Sequence, residues 1–243
     1  MGKNKLMKFA QMATFENVIQ PRLDEVLNKD YKLKGNWNTV IFKNNNPIVL
    51  ELGCGKGEYT VGLAQRYPGK NFIGVDIKGA RMWRGASLAL QNGLKNVCFL
   101  RTRIEHILSF FAPGEVAEIW ITFPDPQEKR IRAKKRLTSS QFLPMYKKFL
   151  VTNGTIHLKT DNSLLYNYTC HLCHVNNLHV NISTNNLYNS GIADEALLSI
   201  KTFYETRFLA EGETIKYINF TLDDHETFLE PPGDDEPPGF SQK

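Results

Sequence analysis

The chain has 243 residues, 42% hydrophobic, 23% charged and 11% aromatic, which suits one sizeable α/β domain with a core and excludes an extended disordered chain. No run approaches the roughly 18 apolar residues of a membrane span, and Met1-Gly2-Lys3-Asn4-Lys5 leads into no apolar signal segment. The formal net charge is +5, but residues 223–243 hold seven acids and one base, which leaves 29 bases against 18 acids, a net +11, on residues 1–222.

A body this basic attracts polyanions, nucleic acid first among them, although many basic proteins bind none. Four cysteines without a signal segment fit a reducing compartment with free thiols, so a cytoplasmic protein is expected.

Residues 1–46 are polar and lysine-rich, with an Asn run at 44–46, and read as a basic N-terminal arm with one or two short helices. From 47 onward strand and helix signals alternate, as in a parallel α/β sheet. The pattern predicts strands at 47–53, 71–76, 97–100, 116–123 and 154–158. It predicts helices at 58–67, 80–91, 104–111, 139–150 and 163–175. After about 177 a strand at 178–182, an Asn- and Ser-rich loop at 184–194 and a long alternating strand at 215–222 suggest a hairpin-like addition to the sheet. The body is thus expected to span 47–222. The tail, 223–243, has Pro-Pro-Gly twice among acids and is expected to be disordered.

Five segments carry chemistry. Glu51-Leu52-Gly53-Cys54-Gly55-Lys56-Gly57 lies where a strand becomes a helix, where glycines let backbone approach a ligand and free N–H groups are available. Asp76 ends the next strand, where a carboxylate can accept both hydroxyls of a ribose. A dinucleotide fingerprint wants glycine at 58; Glu58 stands there instead, and a dehydrogenase is the weakest reading. Phe123-Pro124-Asp125-Pro126 leaves a strand on the edge where open α/β sheets bind ligands, and its prolines stiffen the loop carrying Asp125. Lys129 to Arg136 places six cations in eight residues, a phosphate-binding pattern unless it is merely a solvated face. His157-Leu158-Lys159-Thr160-Asp161 ends a further strand, and Thr202-Phe203-Tyr204-Glu205-Thr206-Arg207 precedes the last one. Cys170-His171-Leu172-Cys173-His174 matches a haem-attachment pattern by chance, and nothing completes a zinc site; no metal is expected.

Together these segments resemble the bacterial tRNA (guanine-N7-)-methyltransferase family, from the N-terminal Gly-Lys-Asn-Lys to the strand at 215–222. The resemblance implies a class I methyltransferase (Rossmann-like) fold, with a mostly parallel seven-stranded sheet, an antiparallel last strand and helices on both faces. It implies S-adenosylmethionine (SAM) as cofactor, S-adenosylhomocysteine as product, and tRNA as partner, with neither a membrane nor an obligate protein partner. It assigns Asp125 to the chemical step and Glu51, Gly53, Gly55, Gly57, Asp76 and Asp125 to the cofactor. Lys129, Asp161, Thr202, Phe203, Tyr204 and Glu205 would hold the target guanine. Arg130, Ile131, Arg132, Ala133, Lys134, Lys135 and Arg136 would grip the RNA backbone.

The chain departs from the family pattern in four places. Gln127-Glu128 stand where Trp followed by Pro or His is usual. Arg103 occupies the cofactor-binding position near the adenine, where Asp is usual, and a guanidinium cannot accept a hydrogen bond from the adenine amino group. Asp76 replaces the more usual Glu, and Glu213 stands where His is common. The alternatives are another nucleic-acid or protein N-methyltransferase, or a non-catalytic RNA-binding module on a decayed methyltransferase fold.

Overall fold

A computed structural model describes residues 3–192, 194–222 and 227–232. The chain forms two compact units, Met1–Ala117 and Glu118–Lys243. In the first, the elements are α1 (Lys3–Met12), β1 (Val18–Ile19), α2 (Leu23–Val26), a π-helical segment Trp37–Phe42, β2 (Ile48–Leu52), α3 (Glu58–Arg66), β3 (Asn71–Asp76), α4 (Gly79–Gln91), β4 (Val97–Arg101) and a 3-10 turn Ile104–Ser109. Its strands run in the order β1-β4-β3-β2, all parallel. All five residues of β2 are buried, which is why that strand reads as a near-continuous apolar run rather than an alternating one.

The arm at 1–46 supplies secondary structure to this unit. Trp37 is fully buried; its indole N–H donates to the Phe110 carbonyl at 2.8 Å and its ring stacks on Phe111. Helix α1 packs on α4, where the Trp83 indole donates to the Gln11 side chain at 2.8 Å. The short β1 also comes from the arm, pairing Val18 and Ile19 with Phe99 and Leu100. It raises the strand count from the expected seven to eight among the described residues. Two residues are too short a run for hydrophobic alternation to reveal.

The second unit contains β5 (Val116–Thr122), which starts at the boundary, then a 3-10 segment Arg130–Lys135, α5 (Leu143–Lys147), β6 (Leu150–Thr160), α6 (Ser163–Val175), β7 (Val180–Thr184), a 3-10 turn Leu187–Asn189, α7 (Glu195–Ser199), α8 (Phe203–Ala210) and β8 (Lys216–Thr221). Strand order is β5-β6-β8-β7, with β8 antiparallel to both β6 and β7. The fold is therefore mixed α/β, mostly parallel with antiparallel C-terminal strands, as expected. The helix predicted at 139–150 shrinks to Leu143–Lys147, because Pro144 lacks an N–H and fits only a first turn. Asn162 caps α6 by accepting from the Leu165 N–H at 2.9 Å.

Of the tail expected to be disordered, 227–232 pack on this unit; 223–226 and 233–243 lie outside the described residues. Phe228 is buried. Asn176 clamps the next residue from both sides, accepting from the Leu229 N–H at 2.6 Å and donating to its carbonyl at 2.9 Å. Asn176→Ala removes both bonds together with the one its amide donates to the Leu172 carbonyl at 2.8 Å, a loss of about 1–3 kcal/mol. The melting temperature should fall by roughly 2–4 °C per kcal/mol for a chain of this size. An unchanged melting curve would show that the segment adds nothing to stability.

Candidate active site

The first unit carries the glycine loop. Gly53, Gly55 and Gly57 all have positive φ, at 76°, 55° and 71°. Each bends the chain where an L side chain would be strained, which is why three glycines stand there. Gly57 is doubly constrained, since a Cβ on it would lie 2.6 Å from the Phe99 ring. Gly85 of α4 lets that helix press against the loop, for a Cβ there would meet the Lys56 carbonyl at 2.6 Å. A Cβ on Gly55, by contrast, would meet only the Gly53 carbonyl at 4.0 Å, so the loop is open at its tip.

Two carboxylates hold this loop. Asp76, at the end of β3, accepts from the Gly55 N–H at 2.9 Å with one oxygen and from the Lys78 N–H at 2.7 Å with the other. Each oxygen keeps a second lone pair, and the residue is half-buried. This donor set and the open cradle fit a ribose diol beside a glycine turn. Glu51 is buried and bonds to the Thr60 amide at 2.8 Å and the Thr60 hydroxyl, tying β2 to the start of α3. Burial pushes the Cys54 thiol well above its usual range, reinforced by the Glu51 and Asp76 charges, so it is no nucleophile at neutral pH. Arg103 is exposed and immediately precedes the Ile104–Ser109 turn.

The second unit carries the other segments. Asp125 is exposed and accepts from the Gln127 N–H at 3.1 Å. Its loop is bounded by Phe123 and Gln127, both at φ 48°, a left-handed conformation that non-glycine residues adopt only under constraint. Lys129, Arg130, Ile131, Arg132, Lys134 and Lys135 are exposed, Ile131 at 92%. Ala133 and Arg136 are buried. The cationic run is therefore a solvent-facing group of five charges, with its sixth turned inward.

Asp161 follows β6 and is half-buried; burial pushes its carboxyl above the usual range, with Glu213 adding to that and Lys216 opposing it. The Lys216 ammonium donates to the Asp161 carbonyl at 2.7 Å. His157 stacks on Trp120 at 4.0 Å and its Nδ1 meets the Tyr217 hydroxyl at 2.7 Å, a sheet-packing role.

The segment at 202–205 divides. Thr202 caps α8 by accepting from the Glu205 N–H at 3.0 Å. Phe203 and Tyr204 are exposed, their rings 5.7 Å apart edge to face. Glu205 is fully buried and pairs with Lys159 at 2.6 Å; both side chains have 0% exposure. Tyr188 donates to the same carboxylate at 2.6 Å, and Lys159 donates to the Leu197 carbonyl at 2.7 Å. Burial lowers the Lys159 pKa, with Glu205 opposing the shift. Lys159 belongs to a motif visible in the sequence, but Tyr188 lies in the loop at 184–194, which offered no signal.

A family model described as "Putative methyltransferase" matches residues 45–218. A tRNA (guanine-N(7)-)-methyltransferase of Bacteroides fragilis is 55% identical over 231 residues, covering 95% of this chain and 90% of that one. One of Christiangramia forsetii is 51% identical over 221 residues, covering 91% and 99%. The chain belongs to the tRNA (guanine-N(7)-)-methyltransferase family. Among solved structures, an antibiotic-related methyltransferase superposes with TM-score 0.57 at 15% identity, covering 80% of this chain and 96% of that one. A variant of the 16S rRNA (adenine(1408)-N(1))-methyltransferase from Catenulisporales acidiphilia, solved with cosubstrate SAM, gives 0.53 at 14%, covering 78% and 91%. These show the class I methyltransferase fold.

Within this family fold, the Lys159–Glu205 pair makes a separable prediction. Lys159→Met strands a buried carboxylate and should cost about 3–5 kcal/mol, whereas Lys159→Met with Glu205→Leu should recover most of that. Urea unfolding of the three proteins tests it, and a single variant as stable as wild type would show that the pair is not electrostatically closed.

Proposed function

We propose that this chain transfers the methyl group of SAM to N7 of guanine at nucleotide 46, in the variable loop of tRNA, forming N7-methylguanosine in the cytoplasm. The observation that carries the reading is the set of relatives at 51–55% identity over more than 90% of the chain, named for that activity. Within the first unit, the open glycine loop held by Asp76 supports the cofactor part of that reading. Among the described residues no helix is long and apolar enough to cross a membrane and no group of side chains could hold a metal ion.

Gly53, Gly55 and Gly57 would cradle the cofactor and Asp76 would accept its ribose hydroxyls, while Glu51 keeps the loop's root in place. The bound cofactor supplies an electrophilic methyl group. Guanine N7 carries a free lone pair at neutral pH, so no general base is required, and the protein's task is positioning and charge. Asp125, in a loop bounded by two left-handed residues, would accept from the guanine N1–H and N2–H edge and offset the positive charge that grows on the ring. Lys129 and Asp161 would flank the base, and Phe203 and Tyr204 offer the exposed aromatic faces on which a base stacks. Arg130, Arg132, Lys134 and Lys135 would meet phosphates.

Mapping N7-methylguanosine in tRNA incubated with SAM and the purified protein tests the activity; absence of the mark at nucleotide 46 would refute it, and tRNA binding without any SAM binding would point to a non-catalytic RNA-binding module. Asp125→Asn should slow single-turnover methylation about 30-fold with both substrates saturating, the rate equivalent of roughly 2 kcal/mol for a charged hydrogen bond. A near wild-type rate would reduce Asp125 to a turn residue. Replacing Arg132, Lys134 and Lys135 together by Ala should flatten the salt dependence of tRNA binding by roughly one log unit per lost phosphate contact while sparing SAM affinity. An unchanged slope would make the run a solvated face.

A further inference from the structure

Arg136 ends the cationic run, yet it is fully buried, while the other five cations are exposed. Its guanidinium points to the Asp125 loop. Nε donates to the Pro126 carbonyl at 3.2 Å and an Nη donates to the Gln127 carbonyl at 3.3 Å, the two residues that follow Asp125. The guanidinium carbon lies 4.3 Å from the centroid of the Tyr168 ring. Tyr168 is itself buried, and its hydroxyl donates at 2.7 Å to Glu230 of the C-terminal segment, whose other oxygen accepts from the Ser140 hydroxyl. Arg130 donates to the Pro232 carbonyl at the end of the same segment.

Each link has a physical reason. A loop with two left-handed non-glycine residues relaxes unless something outside it holds its backbone. Two carbonyls on adjacent residues match the planar fork of a guanidinium and not the point charge of an ammonium. A buried cation needs compensation, which the Tyr168 face gives directly, while the Glu230 carboxylate fixes the ring by its hydroxyl.

We propose that Arg136 is a positioning residue for the Asp125 loop and not an RNA contact, and that Tyr168 and Glu230 hold Arg136 in place, so that the C-terminal segment sets the order of that loop. The inference rests on the reading of Asp125 given above for its effect on rate, but not for its effect on the loop.

The test uses the full-length protein and two readouts. Amide hydrogen exchange at Gln127, whose N–H is bonded to Asp125, measured without tRNA or SAM, should speed up by about tenfold or more in Arg136→Lys. It should also rise, less steeply, in Tyr168→Phe, which keeps the ring and loses the bond to Glu230. Arg132→Gln should leave this amide unchanged. Single-turnover methylation by Arg136→Lys should fall about 10–100-fold, the scale of a misplaced reacting group, while tRNA affinity and its salt slope stay at wild-type values. A phosphate contact behaves oppositely: Lys would restore it, and Arg136→Gln would lower the salt slope by about one. That pattern, or unchanged exchange in Arg136→Lys, overturns the proposal; unchanged exchange in Tyr168→Phe overturns the link to the C-terminal segment. Should wild-type protein methylate no guanine, the functional reading fails while the exchange data still decide the role of Arg136.

Discussion

A charge removed from water must find partners inside the protein, and this constraint shapes most of the motif segments of the chain. Glu51, Arg136, Lys159 and Glu205 are exposed by 3% or less. Each is tied to a different element: Glu51 to the start of α3, Arg136 to the loop after β5, Lys159 to the carbonyl of Leu197 in α7, and Glu205 to β6 and the 3-10 turn holding Tyr188. The exposed residues of the same segments, Asp125, Lys129 and the Phe203–Tyr204 pair, are thereby left facing solvent on backbones that have little freedom. Replacing a buried ion pair by apolar residues is often neutral or stabilising in other proteins, so the Lys159–Glu205 pair fits a positioning role better than a stability role.

The architecture was legible because its signals are long and periodic. Alternation of apolar strands with helices located β2, α3, β3, α4, β4 and β6 within a few residues, and the long alternating run at 215–222 marked β8. The pieces that escaped are those whose cause is tertiary. β1 is two residues long and α7 is five, below the length at which a period can be counted. The segment at 130–135 reads as a run of charges and gives no hint of a 3-10 turn with Ala133 inside. At the site, residue type picked out the segments for which roles are proposed, but not which way each side chain points. Arg136 and Arg132 are the same residue type in one run; only the packing of Tyr168 and the two carbonyls of the Asp125 loop separates them.

The same distinction applies to the departures from the family pattern. Glu213 has no consequence that the sequence reveals, yet it faces Lys216 and Asp161 and adds to the upward shift of the Asp161 carboxyl. Burial is the larger cause, so the departure adjusts the basicity of Asp161 and does not create the shift. Asp76 is one methylene shorter than the usual Glu, and it still reaches the Gly55 amide directly.

The missing aromatic after Asp-Pro can be understood in the same terms. An indole at position 127 could order the loop by packing, whereas Gln127 holds a left-handed conformation that a side chain of its size does not favour. What the structure offers in compensation is backbone capture: the Gln127 carbonyl accepts from Arg136, and the Gln127 amide donates to Asp125. Neither bond uses the side chain at 127, so both are available to whichever residue can adopt the left-handed conformation there. The ring of Phe123, at the root of the loop, lies 6.3 Å from Phe208, which stacks at 6.4 Å on Tyr204, whose neighbour Phe203 is 55% exposed. An aromatic series thus runs from the loop to an exposed face, separate from the backbone bonds that hold position 127.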